Sequence, residues 1–115
     1  VAGAVGMASA IEIDEFGIVP AMGIAFARAL EGLAVAPEAL ILDGKHDWIG
    51  ASGATVPVTM QVKADTTCAS VAAASVLAKV ARDDLMRELA VLHPEYGTRP
   101  RVYYKNLHHV TRCFI

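Results

Sequence analysis

Hydrophobic and polar positions alternate along this chain in blocks of two different periods. Val1 to Ser9 is a run of small and apolar residues that reads as a buried strand, although Gly3 and Gly6 interrupt it. Glu12-Ile13-Asp14-Glu15-Phe16-Gly17 reads as a short polar turn. Met22, Phe26, Leu30 and Leu33 then recur at spacings of four, four and three. That is one apolar stripe on a helix from about Pro20 to Leu33, with Pro20 suited to its first turn. Ala39-Leu40-Ile41-Leu42 is a continuous apolar run ending at Asp43-Gly44, the pattern of a central parallel strand. Val56, Val58, Met60 and Val62 alternate with Pro57, Thr59, Gln61 and Lys63, which predicts an edge strand ending at Lys63-Ala64-Asp65. A second helix runs from near Ser70 to Leu92. Val71, Ala74, Ala78, Ala81, Leu85, Leu89 and Leu92 form its apolar stripe, and Ser70 or Thr67 is the expected cap. Strands alternating with helices predict an α/β layer.

Composition narrows the class. The 115 residues suffice for one domain, and 55% hydrophobic against 19% charged residues excludes a disordered chain. The formal net charge of −2 supplies no global positive field, so phosphate binding requires a local patch. Cys68 and Cys113 make no disulfide framework, which favours a reducing, cytoplasmic setting. The longest apolar run, Ile18 to Ala27, contains Pro20 and Gly23 and is about half the roughly 20 residues of a spanning helix, so no membrane segment is expected. With Val1 first and no initiator Met, the sequence reads as a fragment.

Two aspartates stand out. Asp43 and Asp65 each follow an apolar strand, where ligands of open α/β sheets bind. Such a pair suits a hard divalent cation, Mg²⁺ or Mn²⁺; equally, each aspartate suits a turn. On the second helix Ser75, Lys79, Arg82 and Asp83 share one side. They form either a phosphate-contacting ridge, with Asp83 partly neutralised by Arg87, or an ordinary solvated face. His93, His108, His109 and Cys113 match no standard zinc spacing. Cys68 reads as a small packed side chain.

One stretch is far more specific. Lys63-Ala64-Asp65 followed by Ser70-Val71-Ala72-Ala73-Ala74-Ser75-Val76-Leu77-Ala78-Lys79-Val80-Ala81-Arg82-Asp83 resembles the signature of type-2 ribonuclease H, ribonuclease HII. Ala8-Ser9 with Glu12-Ile13-Asp14 and Gly17-Ile18, then Leu42-Asp43-Gly44, then His93-Pro94-Glu95-Tyr96-Gly97 agree with it in order. The resemblance covers residues 1 to 97, read as a partial catalytic domain, and leaves 98 to 115 as an unmatched tail. It implies a truncated ribonuclease H-like α/β fold with a mixed sheet and flanking helices. It implies an endonuclease, monomeric at full length, that cuts the RNA strand of RNA–DNA hybrids and ribonucleotides embedded in duplex DNA, using four carboxylates and Mg²⁺ or Mn²⁺. Carried over by position, Asp43 and Asp65 correspond to the third and fourth carboxylates, with Ser75 and Lys79 contacting the nucleic-acid backbone.

Asp83 competes with Asp65 for the fourth place. The 13 residues from Ser70 to Asp83 span about 20 Å of helix, against about 4 Å between paired metals, so both cannot serve. The Asp-Glu-Ala-Gly-Arg-Gly motif that carries the family's first two carboxylates does not occur here. Residues 98 to 115 lack the Lys-Gly-Tyr element, so no role passes to Tyr103 or Tyr104. The expectation is a ribonuclease HII piece with half of its metal ligands and little activity alone. The alternative is a non-catalytic fragment that binds nucleic acid or a partner subunit, with an exposed sheet edge.

Overall fold

The computed structural model describes residues 3–49, 55–96 and 110–114. Strand β1 spans Ala4–Ala8 and leads directly into a helix, α1, over Ala10–Phe16. The segment read as a polar turn is therefore helical. Its start is set by a capping box that periodicity did not expose. Ser9 Oγ accepts the Glu12 N–H at 3.2 Å, and Glu12 Oε2 accepts the Ser9 N–H at 2.8 Å. Ile13 faces inward from this short helix. Gly17, at φ 86°, then turns the chain into α2, Ile18–Glu31, with Pro20 in its first turn.

The face of α2 that packs most closely is not the large-residue stripe. Ala21, Ala25 and Ala29 are wholly buried, while Met22 and Leu30 are half-buried. The reason lies in β1. A Cβ on Gly6 would run into the Ala25 carbonyl and sit 2.5 Å from the Ala29 amide nitrogen. Helix and strand approach at backbone distance, which only small residues permit. Ala8, Ile13, Ala21 and Ala25 form one buried cluster here. Phe26, on the flank of the same helix, enters a second cluster with Leu40, Leu42 and Ile49, and meets Trp48 edge-on at 6.1 Å between ring centroids.

Strands β2, Leu40–Asp43, and β3, Val58–Gln61, pair in parallel with Asp43 opposite Gln61. Among the described residues β3 is the one strand paired with β2; Leu40 and Leu42 of β2 are buried and Ile41 is 38% exposed. Burial along β3 alternates between half-buried and exposed positions, as its sequence alternation predicts. A single helical turn, α3, covers Ala64–Thr67, and the long helix α4 covers Ala69–Leu92. Cys68, not Ser70 or Thr67, occupies the N-cap of α4. Thr67 Oγ1 is taken by the Gln61 amide at 2.5 Å, and Ser70 Oγ lies 3.2 Å from Cys68 Sγ.

Ala74 and Met86 are buried on α4; Val71, Ala78, Ala81, Leu85 and Leu89 are half-buried, and Leu92 is exposed. Strand β4, Val110–Phe114, pairs antiparallel with β1. No strand had been expected within 98–115; a five-residue strand without sustained alternation leaves little periodic signal. No described helix is long and apolar enough to cross a membrane.

Candidate functional site

The β2–β3 pair positions the two aspartates differently. Asp43 ends β2, half-buried, and Gly44 at φ 131° turns the chain away. The Gly44 N–H donates to the Gln61 carbonyl at 3.2 Å, extending the parallel ladder to the end of the strand. Asp65 does not sit at a strand end. Strand β3 stops at Gln61, and Lys63 adopts the left-handed conformation, φ 54° and ψ 42°. That turn starts α3, in which the Lys63 carbonyl accepts the Thr66 N–H at 3.0 Å and its hydroxyl at 2.8 Å.

A long-range hydrogen bond ties the two segments. The Ala64 N–H donates to Asp43 Oδ1 at 3.0 Å, and Ala64 itself is wholly buried. The residue preceding Asp65 is thus fastened to the Asp43 carboxylate. One Asp43 oxygen is engaged by a backbone donor. The exposed Asp65 carboxylate has no hydrogen-bond or ion-pair partner among the described residues. Oxygen donors of this kind suit a hard divalent cation rather than a soft one. They are two ligands only: the described residues hold no group of three or more His, Cys, Asp or Glu able to take a metal.

The α4 ridge is less open than its spacing suggested. Lys79 is exposed, whereas Ser75 and Arg82 are half-buried. Ser75 Oγ donates to the Ala72 carbonyl at 2.9 Å, and Arg82 pairs with Asp83 at 3.0 Å. Arg87 pairs with Asp84, not with Asp83 as expected. Of the histidines, His93 Nδ1 lies 3.3 Å from Glu95 Oε1; His108 and His109 fall outside the described residues. The Cys68 thiol is held below its ordinary pKa by the Ser70 hydroxyl and the Val71 N–H at the start of α4.

A separate charged corner had no place in the sequence reading. Arg28 of α2 donates to both Glu12 oxygens, at 2.6 and 2.9 Å, and to the Met7 carbonyl at 2.8 Å. The guanidinium and the Ser9 N–H lower the Glu12 carboxyl to about 2. The capping box Ser9-x-x-Glu12 was the signal that could have located half of it.

Comparison with known proteins decides the family. The profile of ribonuclease HII matches residues 1–106 of the chain. The chain belongs to the ribonuclease HII family. Ribonuclease HII of Streptomyces avermitilis is 49% identical over 94 residues, covering 82% of this chain and 39% of that protein. Ribonuclease HII of Streptomyces coelicolor is 51% identical over 94 residues, with the same coverage of 82% and 39%. The Roseobacter denitrificans ribonuclease HII is 40% identical over 107 residues, covering 93% of this chain and 52% of that protein. The chain therefore spans two fifths to one half of the length of these relatives. Its mixed α/β architecture, with a small parallel sheet and flanking helices, is that of a partial ribonuclease H-like fold.

Proposed function

We propose that Asp43 and Asp65 are metal-binding and catalytic carboxylates of a ribonuclease HII, contributed by this part of the protein. The observation that supports the reading most is the Ala64 N–H to Asp43 hydrogen bond, which fastens the Asp65 segment to the end of β2. In this reading the whole enzyme is a cytoplasmic monomer. It hydrolyses the RNA strand of RNA–DNA hybrids and cuts at ribonucleotides embedded in duplex DNA.

Asp43 and Asp65 would hold a magnesium or manganese ion, which would supply Lewis acidity toward a phosphodiester. The protein's share is geometric and electrostatic. Asp43 would offer one oxygen to the cation while its other accepts the Ala64 N–H. Asp65 presents both oxygens to solvent and substrate. Lys79, exposed on α4, supplies a cation to the nucleic-acid backbone, with Ser75 and Arg82 along the same helix.

Two carboxylates do not hold two cations, their waters and a phosphodiester, so the 115-residue chain is expected to leave a duplex with one embedded ribonucleotide intact. The assay uses Mg²⁺ and then Mn²⁺. Cleavage should appear when the chain is joined to a segment carrying Asp-Glu-Ala-Gly-Arg-Gly, and should vanish again in Asp43→Asn. Robust cleavage by the 115-residue chain, lost in Asp43→Asn, would refute the missing-ligand argument.

A further inference from the structure

Lys63 is the only residue other than glycine with a positive φ among the described residues. In the left-handed region the Cβ crowds the following carbonyl; glycine escapes this cost, and asparagine or aspartate offsets it with a local hydrogen bond. Lysine does neither. The backbone at this position therefore favours a residue other than the one it carries. Strain of this kind, held by its surroundings, directs attention to the side chain.

The surroundings do hold it. The Lys63 carbonyl accepts two hydrogen bonds from Thr66, and the next residue donates to Asp43. On the far side, Gln61 is tied to Thr67 and to Gly44. Within this fixed turn the Lys63 ammonium is exposed and has no hydrogen-bond or ion-pair partner among the described residues. Ala64 separates it from Asp65, and Ala64 is the residue bonded to Asp43. The residue that carries this unpaired cation thus sits next to the one bonded to Asp43 and two positions before Asp65, in the segment whose carboxylates are proposed to work on a phosphodiester.

We infer that Lys63 is a phosphate-binding residue: its ammonium contacts a backbone phosphate of the nucleic-acid strand lying over Asp43 and Asp65. The inference rests on the nuclease reading for its ligand, but its test does not require metal. Its distinguishing feature is a trade between stability and binding. Replacing Lys63 with glycine removes the backbone strain and the cation together. Fold stability should hold or rise, while nucleic-acid binding should fall.

The experiment measures binding of the 115-residue chain to a short RNA–DNA hybrid in a metal chelator, over a range of salt, alongside thermal unfolding. Lys63→Gly is expected to bind several-fold more weakly, with the slope of log affinity against log salt reduced by about one, and to melt no lower than the parent. Lys63→Arg should restore binding and slope. Arg87→Ala, which removes a surface charge far along α4, should leave both close to the parent. Unchanged binding and slope in Lys63→Gly, or no hybrid binding by the parent chain, overturns the inference. A parallel titration with Mn²⁺ separates the two readings. Mn²⁺ binding lost in Asp65→Asn with hybrid binding indifferent to Lys63 keeps the metal reading alone. The reverse result keeps Lys63 as a phosphate contact and removes the metal reading.

Discussion

The two charged corners of this molecule use similar residues to opposite ends. At the N-terminal corner, Glu12 receives the Ser9 N–H, the Ser9 hydroxyl and both arms of Arg28, and Arg28 also donates to the Met7 carbonyl. Donors and acceptors there answer one another across β1, α1 and α2. Among the described residues of the β2–β3 corner, the Asp43–Ala64 bond alone joins a charged side chain to the other segment, and the Asp65 carboxylate and Lys63 ammonium stay unpaired. Charges that close on each other stabilise a fold. Charges held by backbone but left open are available to a ligand. The comparison predicts that substitutions in the two regions separate stability from binding.

The largest effect on the fold should come from the packing beneath the closed corner. Gly6→Ala places a methyl group against the Ala25 carbonyl and the Ala29 amide nitrogen, both backbone atoms of a helix that cannot turn aside. The expected loss is about 3 kcal/mol, at the upper end of overpacking costs, read from urea unfolding. A loss under about 0.5 kcal/mol, the level of an ordinary surface change, would mean that β1 and α2 lie further apart than described.

Asp65→Asn should behave in the opposite way. With no partner to lose among the described residues, its unfolding free energy should change by no more than about 0.5 kcal/mol. Mn²⁺ affinity, followed by electron paramagnetic resonance of the free ion, should fall about tenfold, equivalent to about 1.4 kcal/mol. A marked loss of stability with unchanged Mn²⁺ affinity would move Asp65 into the structural class and erase the contrast between the corners.

Of the two corners, the sequence pointed to the carboxylates of the open one and missed the closed one, for physical reasons that differ by element. The helix over α4 showed itself through apolar residues at helical spacing, and Asp43 through its place after a continuous apolar run. The α1 helix was missed because seven residues hold too little periodicity; its evidence was the capping box. The close packing of α2 was obscured because alanine and glycine carry little hydrophobic signal, yet they decide how near a helix approaches a strand. Asp65 was identified as a candidate but assigned to a strand end, since alternation through Lys63 gives no hint of a left-handed residue. The Arg28–Glu12 pair joins residues 16 apart on two helices, a tertiary fact outside any local pattern.

The smallest effect, and the most diagnostic of the closed corner, concerns pH. Glu12 titrates at about 2 in the folded chain against an ordinary value of 4.5. Its ionised form is favoured by folding, so its contribution is complete above pH 4.5 and is lost as the pH falls toward 2. Glu12→Gln should therefore melt below the parent at neutral pH, with the gap closing through that acid window. Other carboxylates also protonate there, but they do so in both proteins, and the difference between the two melting curves isolates Glu12. The effect should be modest, because Arg28 is about half exposed and water screens the pair. Raising the salt concentration should narrow the gap at neutral pH. The measurement is the thermal midpoint of each protein across the acid range. A gap that stays constant through the window would show that Glu12 contributes through its hydrogen-bonding shape rather than its charge. The closed corner would then be a capping device, with Arg28 a bystander to it.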